Sequence, residues 1–230
     1  MQTEIRVSLG VKAGANAFYD ADFARNAVRG LPESELLRVV DYLMGEVSNY
    51  FRLTVSAELE AILAGGGSAW RVGERLGKLG LIERVPEGVR VAVESVFERS
   101  GTAGHLLARA WSHIHGVVKN DSAGYGDAVR AVEVAAIPLV LGEDPEATLG
   151  TVIQRMRADG DWRLPLREHN HAPSAEMVVQ ILRTLWRGHS DRHGNVDYKD
   201  VSHEEARAGV VLAATLVDWF TAGAIARRPA

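Results

Sequence analysis

Along most of this chain hydrophobic positions recur at steps of three and four, the spacing that lines one face of an α-helix. From Pro32, read as a first-turn proline, Leu36, Leu37, Val40, Leu43, Met44, Val47 and Tyr50 form one such stripe. A second helix is expected over about residues 56–64, stopped by Gly65-Gly66-Gly67. The pattern then changes. Ala69-Trp70-Arg71-Val72 and Leu81-Ile82-Glu83-Arg84-Val85 are short and rich in strand formers, with Gly73, Gly77 and Gly80 between them, which predicts a small hairpin. Pro86 opens another helix to about Arg99, with Val89, Val93, Val96 and Phe97 inward. Residues 1–30 hold only Phe18, Tyr19 and Phe23 as anchors and read as a loosely structured lead-in. A boundary at Gly101 divides the chain into 1–100 and 101–230.

The second half is patterned as helix throughout. Leu106, Leu107, Ala110, Trp111 and Ile114 lie along one side of a helix at 105–118, and Asn120–Gly124 predicts a turn. Tyr125, Val129, Val132 and Ala136 make the next stripe, kinked or ended by Pro138. Asp144, Pro145 and Glu146 predict an N-cap, a first-turn proline and an acid that suits the helix dipole, for a helix to about Ala158. After a connector at 159–173 holding Trp162, His169 and His171, a helix from Ser174 or Ala175 packs through Met177, Val178, Ile181, Leu182 and Leu185. Ser202 with Glu205 forms a capping box for a long helix through Ala206, Val210, Ala213, Ala214, Val217, Phe220 and Ala224. The expected fold class is all-α, a helical bundle with one small β-hairpin in the N-terminal half.

Composition narrows the function classes. A formal charge of -4 argues against a protein that coats nucleic acid nonspecifically, because such binders neutralise many phosphates. The absence of cysteine excludes disulfides, thiolate metal sites and a cysteine nucleophile. No apolar run reaches the roughly 18 residues of a membrane span, and Met1–Arg6 has no apolar signal core, so a soluble cytoplasmic protein is expected.

The densest chemistry is at Trp186–Asn195, where Arg187, His189, Asp191, Arg192 and His193 stand among glycines between two helices. Cutting RNA without a metal needs a group to activate the ribose 2′-hydroxyl and a cation to hold charge on the phosphate. Histidine exchanges protons near neutrality and arginine stays charged. Arg187 and His193, with five residues between them, suit those two roles. The bland alternative is a solvated turn, with Asp191 capping amides and Gly194 supplying a positive φ. Paired histidines at 113/115, 169/171 and 189/193 do not assemble four converging ligands, so no metal and no cofactor are expected.

Three segments carry a resemblance. Tyr125–Ala136 is similar to the first signature helix of the HEPN superfamily, presenting Glu133 on an alanine-rich face; Ala147–Val152 resembles its Thr-Leu-Gly segment; and Asp191-Arg192-His193-Gly194 resembles the end of its last motif. Over about residues 101–228 the chain looks like the abortive infection C-terminal type of that superfamily. The resemblance implies a metal-independent endoribonuclease of phage-defence or toxin type, working on RNA as a homodimer under the control of a trigger or antitoxin. His193 and Arg187 would be catalytic, with Arg192 as a phosphate contact, Asp191 as a loop anchor and Glu133 orienting His193 or pairing with Arg130. One departure keeps an alternative open. The related pattern carries arginine seven positions before the histidine, where this chain has Trp186. A lost arginine would leave a noncatalytic binding or dimerisation module.

Overall fold

A computed structural model describes residues 26, 28–164, 166, 167, 173–188 and 200–227. The chain forms two compact units, one taking residues up to Arg84 together with Gly116–Val118, the other Val85–His115 and everything from Lys119. The helix at Glu87–Arg99, read above as the close of the first half, belongs to the second unit.

In the first unit, α1 (Glu33–Glu46) and α2 (Arg52–Gly65) precede the expected hairpin, β1 (Trp70–Arg75) and β2 (Lys78–Glu83). Arg75 pairs with Lys78 across a two-residue turn, and both turn residues, Leu76 and Gly77, have positive φ. That is the backbone a tight hairpin needs, with glycine at the second position. Leu81 and Ile82 are buried, as are Val39 and Met44 on α1. Leu43 and Tyr50, expected inward, are exposed: the buried side of α1 runs through Val39 and Met44, and Tyr50 lies past the end of the helix at Glu46. Two carboxylates join helix to hairpin. Asp41 of α1 accepts the Leu81 amide at 2.7 Å and pairs with Arg75. Glu60 of α2 accepts the Val72 amide at 2.7 Å and Arg84 at 2.6 Å.

The second unit has one continuous core. Its elements are α3 (Glu87–Arg99), α4 (Gly101–His115), α5 (Asp121–Val140), α6 (Leu149–Asp159), β3 (Trp162–Arg163), α7 (Ser174–Arg187), α8 (His203–Thr221) and β4 (Ala226–Arg227). The expected all-α class with one N-terminal hairpin holds, and the strand pair β3–β4, too short to pattern a sequence, is added. Three local expectations change. The stretch from Asn120 is no free turn: Asn120 caps α5 by accepting the Ala123 amide at 3.0 Å. Pro138 does not end α5, which runs on to Val140. Asp144 does not cap α6; its carboxylate takes the Glu146 amide locally, and Thr148 caps the helix in a reciprocal box with Thr151.

The buried faces of α5 and α8 follow the small-residue stripes closely. Ala128, Ala131, Val132 and Ala136 are sealed on α5, and Ala206, Val210, Ala213 and Val217 on α8. Small side chains on both helices let α5 and α8 approach closely. No helix among the described residues is long and apolar enough to cross a membrane.

The Glu60 ties give a pH signature. Burial pushes the Glu60 carboxyl up, but the Val72 amide and the Arg84 guanidinium outweigh it and hold the pKa below the ordinary value. A carboxyl with a lowered folded-state pKa contributes its stability above the unfolded value, about 4.3, and loses it as pH falls through the folded one. Glu60→Gln is therefore expected to be less stable than wild type at pH 7, by no more than about 1 kcal/mol because the side chain is partly solvated. The gap should close as urea midpoints are measured towards about pH 3. A gap that widens on acidification would contradict the assignment.

Candidate functional site

The polar segment that begins after Gly188 is approached by two helices, and both are fastened to the first turns of α5. On the incoming side, the Tyr125 hydroxyl donates to the Leu185 carbonyl at 2.9 Å, satisfying one of the orphan acceptors in the last turn of α7. On the outgoing side, the Ser122 hydroxyl accepts the Val201 amide at 3.4 Å, and Asp121 meets His203 Nδ1 at 2.9 Å at the start of α8. The other ring nitrogen, Nε2, lies 3.1 Å from Lys119 Nζ. An ammonium only donates, so Nε2 accepts and Nδ1–H is left to donate to Asp121.

Tyr125 is buried and sits between two glycines. A Cβ at Gly188 would fall 2.2 Å from the Tyr125 hydroxyl oxygen, and one at Gly209 of α8 would fall 2.5 Å from its ring. Gly188 has an ordinary helical φ of -66°. Glycine is needed there for room, not for a left-handed backbone. Burial, with the charge of Glu205 adding to it, pushes the Tyr125 phenol up, so it remains a donor at neutral pH.

Glu133, the acid singled out on α5, accepts the Leu149 amide at 2.9 Å. It thereby holds the first turn of α6, where a carboxylate is favoured by the helix dipole. The next residue, Gly150, carries the indole of Trp186: a Cβ there would lie 2.9 Å from Trp186 Cζ2. Trp186 is half-buried against the core. Two of the three segments singled out in the sequence, around Glu133 and around Leu149–Gly150, thus meet each other, and the second packs against Trp186. Arg187 follows on the exposed side of α7, and among the described residues it forms no ion pair. His193, Arg192 and Asp191, like His189, His169 and His171, lie outside the described residues.

A second polar centre was not legible. Asp127, on the same helix as Tyr125 and Glu133, is buried and grips Arg109 of α4 through two bonds of 2.6 Å, with Arg130 at 3.1 Å and His113 Nε2 at 3.6 Å. The hydrogen bonds to Asp127, with its charge, raise the Arg109 pKa and keep the guanidinium charged. This cluster fastens α4 to α5. It recruits His113, one of the paired histidines weighed above as metal ligands. Among the described residues no three histidine, aspartate or glutamate side chains converge to hold a metal.

A concavity of about 350 Å³ opens between α6 and α7, with Met156, Arg157, Val179, Gln180 and Arg183 among its lining residues. Comparison of the chain with protein-family models, with curated proteins and with solved structures finds no match.

Replacing Tyr125 by Phe removes one hydrogen bond while keeping the ring between its glycines. Amide exchange in the last turn of α7 is expected to accelerate by about fivefold to tenfold, the loss of about 1 kcal/mol of local protection. Unchanged exchange at Gly188 and faster exchange elsewhere would show that the bond does not hold this turn.

Proposed function

We propose that this chain is an RNA-directed protein of abortive-infection or toxin type, built on a HEPN-like helical unit, and that it cleaves RNA without a metal. The observation that carries this reading is Arg187. Its guanidinium stands exposed at the end of a helix whose last turn is tied down, with no carboxylate partner among the described residues. A cation held on a rigid element, with no anion beside it among the described residues, suits a phosphate.

In this reaction His193 takes the proton from the ribose 2′-hydroxyl as its oxygen attacks phosphorus. The bond to the 5′-oxygen breaks, and a protonated histidine returns a proton to that leaving oxygen. The products are a 2′,3′-cyclic phosphate and a 5′-hydroxyl, with no redox change. Arg187 holds the charge that builds on the phosphoryl oxygens, and Arg192 adds a phosphate contact. Asp191 anchors its loop. Glu133 contributes through Leu149 and Gly150, on which Trp186 rests. Two copies would meet to form the cleft, and a trigger or antitoxin would govern it.

A second reading is favoured by Trp186. Its ring is packed on Gly150, and Trp186 stands where the abortive-infection pattern that the chain resembles carries arginine, which fits a noncatalytic dimerisation or ligand-binding module.

The two readings separate in one assay. Purified protein incubated with labelled tRNA and EDTA is expected to cut it, with His193→Ala and Arg187→Ala each slower by about 100-fold or more. Equal cutting by wild type and His193→Ala would remove the catalytic reading. A stable dimer that retains RNA or nucleotide without turnover would establish the binding module.

A further inference from the structure

The concavity between α6 and α7 is lined by two arginines, Arg157 and Arg183, and neither forms an ion pair among the described residues. The neighbouring arginine on α6 behaves differently: Arg155 is satisfied by Asp159 at 3.0 Å. The floor is apolar, formed by Met156 and Val179, and the Gln180 amide supplies a neutral donor and acceptor. Glu176 is the one acid among the described lining residues. Among the described lining residues, two guanidiniums against one carboxylate give a net positive charge.

Glu176, Val179, Gln180 and Arg183 fall at i, i+3, i+4 and i+7 on α7, so they share one face of the helix. Arg187 lies four residues beyond Arg183 and continues that face. At 1.5 Å of rise per residue the two arginines are about 6 Å apart along the axis, one helical turn.

We infer that Arg157 and Arg183 form a phosphate subsite in this pocket, which takes a neighbouring backbone phosphate of the same single-stranded RNA that Arg187 receives. Arginine matches a phosphoryl oxyanion through two parallel N–H groups, and these two arginines approach from different helices. Val179, backed by the sealed Met156, offers a base or ribose a small apolar contact. The volume, about 350 Å³, is at the small end for a ligand pocket and suits one nucleotide of a strand. This inference rests on the RNA-directed reading, but it does not require that RNA be cut.

The test uses the full chain, a labelled single-stranded RNA and fluorescence anisotropy over a salt series in EDTA. Arg183→Gln and Arg157→Gln are expected each to weaken binding by about fivefold or more and to reduce the slope of log K against log salt by about 0.7. Arg155→Gln, outside the pocket, should leave both unchanged. If Arg187→Gln weakens binding while the two pocket variants match wild type, the subsite is overturned and the RNA-directed reading stands. If wild type binds no RNA, that reading fails, and inorganic phosphate then decides the pocket by calorimetry. Phosphate uptake lost in Arg183→Gln would keep the site and assign it to a small phosphate ligand. No uptake by wild type would overturn it.

Discussion

Three helices of the second unit end or begin with backbone groups that their own hydrogen-bond ladders cannot satisfy, and α5 supplies partners for all three. Tyr125 caps the Leu185 carbonyl of α7, Glu133 takes the Leu149 amide of α6, and Asp121 with Ser122 receives the start of α8. Unmet donors and acceptors near a core are costly, so each tie favours one arrangement over its near alternatives. The remainder of the unit is arranged around that helix, which also carries the Asp127 anchor for α4.

Polar anchors of this kind divide the labour with the apolar core. Alanines and valines on α5 and α8 provide the burial, which is favourable but nondirectional. Tyr125, Asp127 and Glu133 provide direction. Glu133 fixes where α6 begins and Tyr125 where α7 ends, and hence where Trp186 and Arg187 emerge.

Most of the helices were legible because their packing is periodic. The α8 capping box and its stripe from Ala206 to Phe220 could be read residue by residue, whereas Ala224, also expected in it, lies past the helix end at Thr221. What failed was local chemistry with more than one solution. Asp144-Pro145-Glu146 satisfies the general form of a helix start, yet Thr148 has a reciprocal partner in Thr151 and a third acceptor nearby in Glu133. That advantage depends on a residue on another helix. The candidate site was half legible for the same reason. Arg187 and Glu133 could be nominated from motif and face, but the Tyr125–Leu185 bond spans 60 positions and the Asp121–His203 contact spans 82, and no periodicity encodes a pairing at that range. Nor could spacing reveal that Gly188 and Gly209 are vacant of side chains to admit one phenol ring.

Both flanks of the polar segment are fastened to the opening turns of a single helix. The closure entropy of a connection grows slowly with its length, by about 0.6 kcal/mol per doubling, once its two attachment points are set. Here those points are set by Tyr125 on one side and by Asp121 and Ser122 on the other. The end of α7 and the start of α8 therefore take their registers from contacts to α5 rather than from the length of chain that joins them.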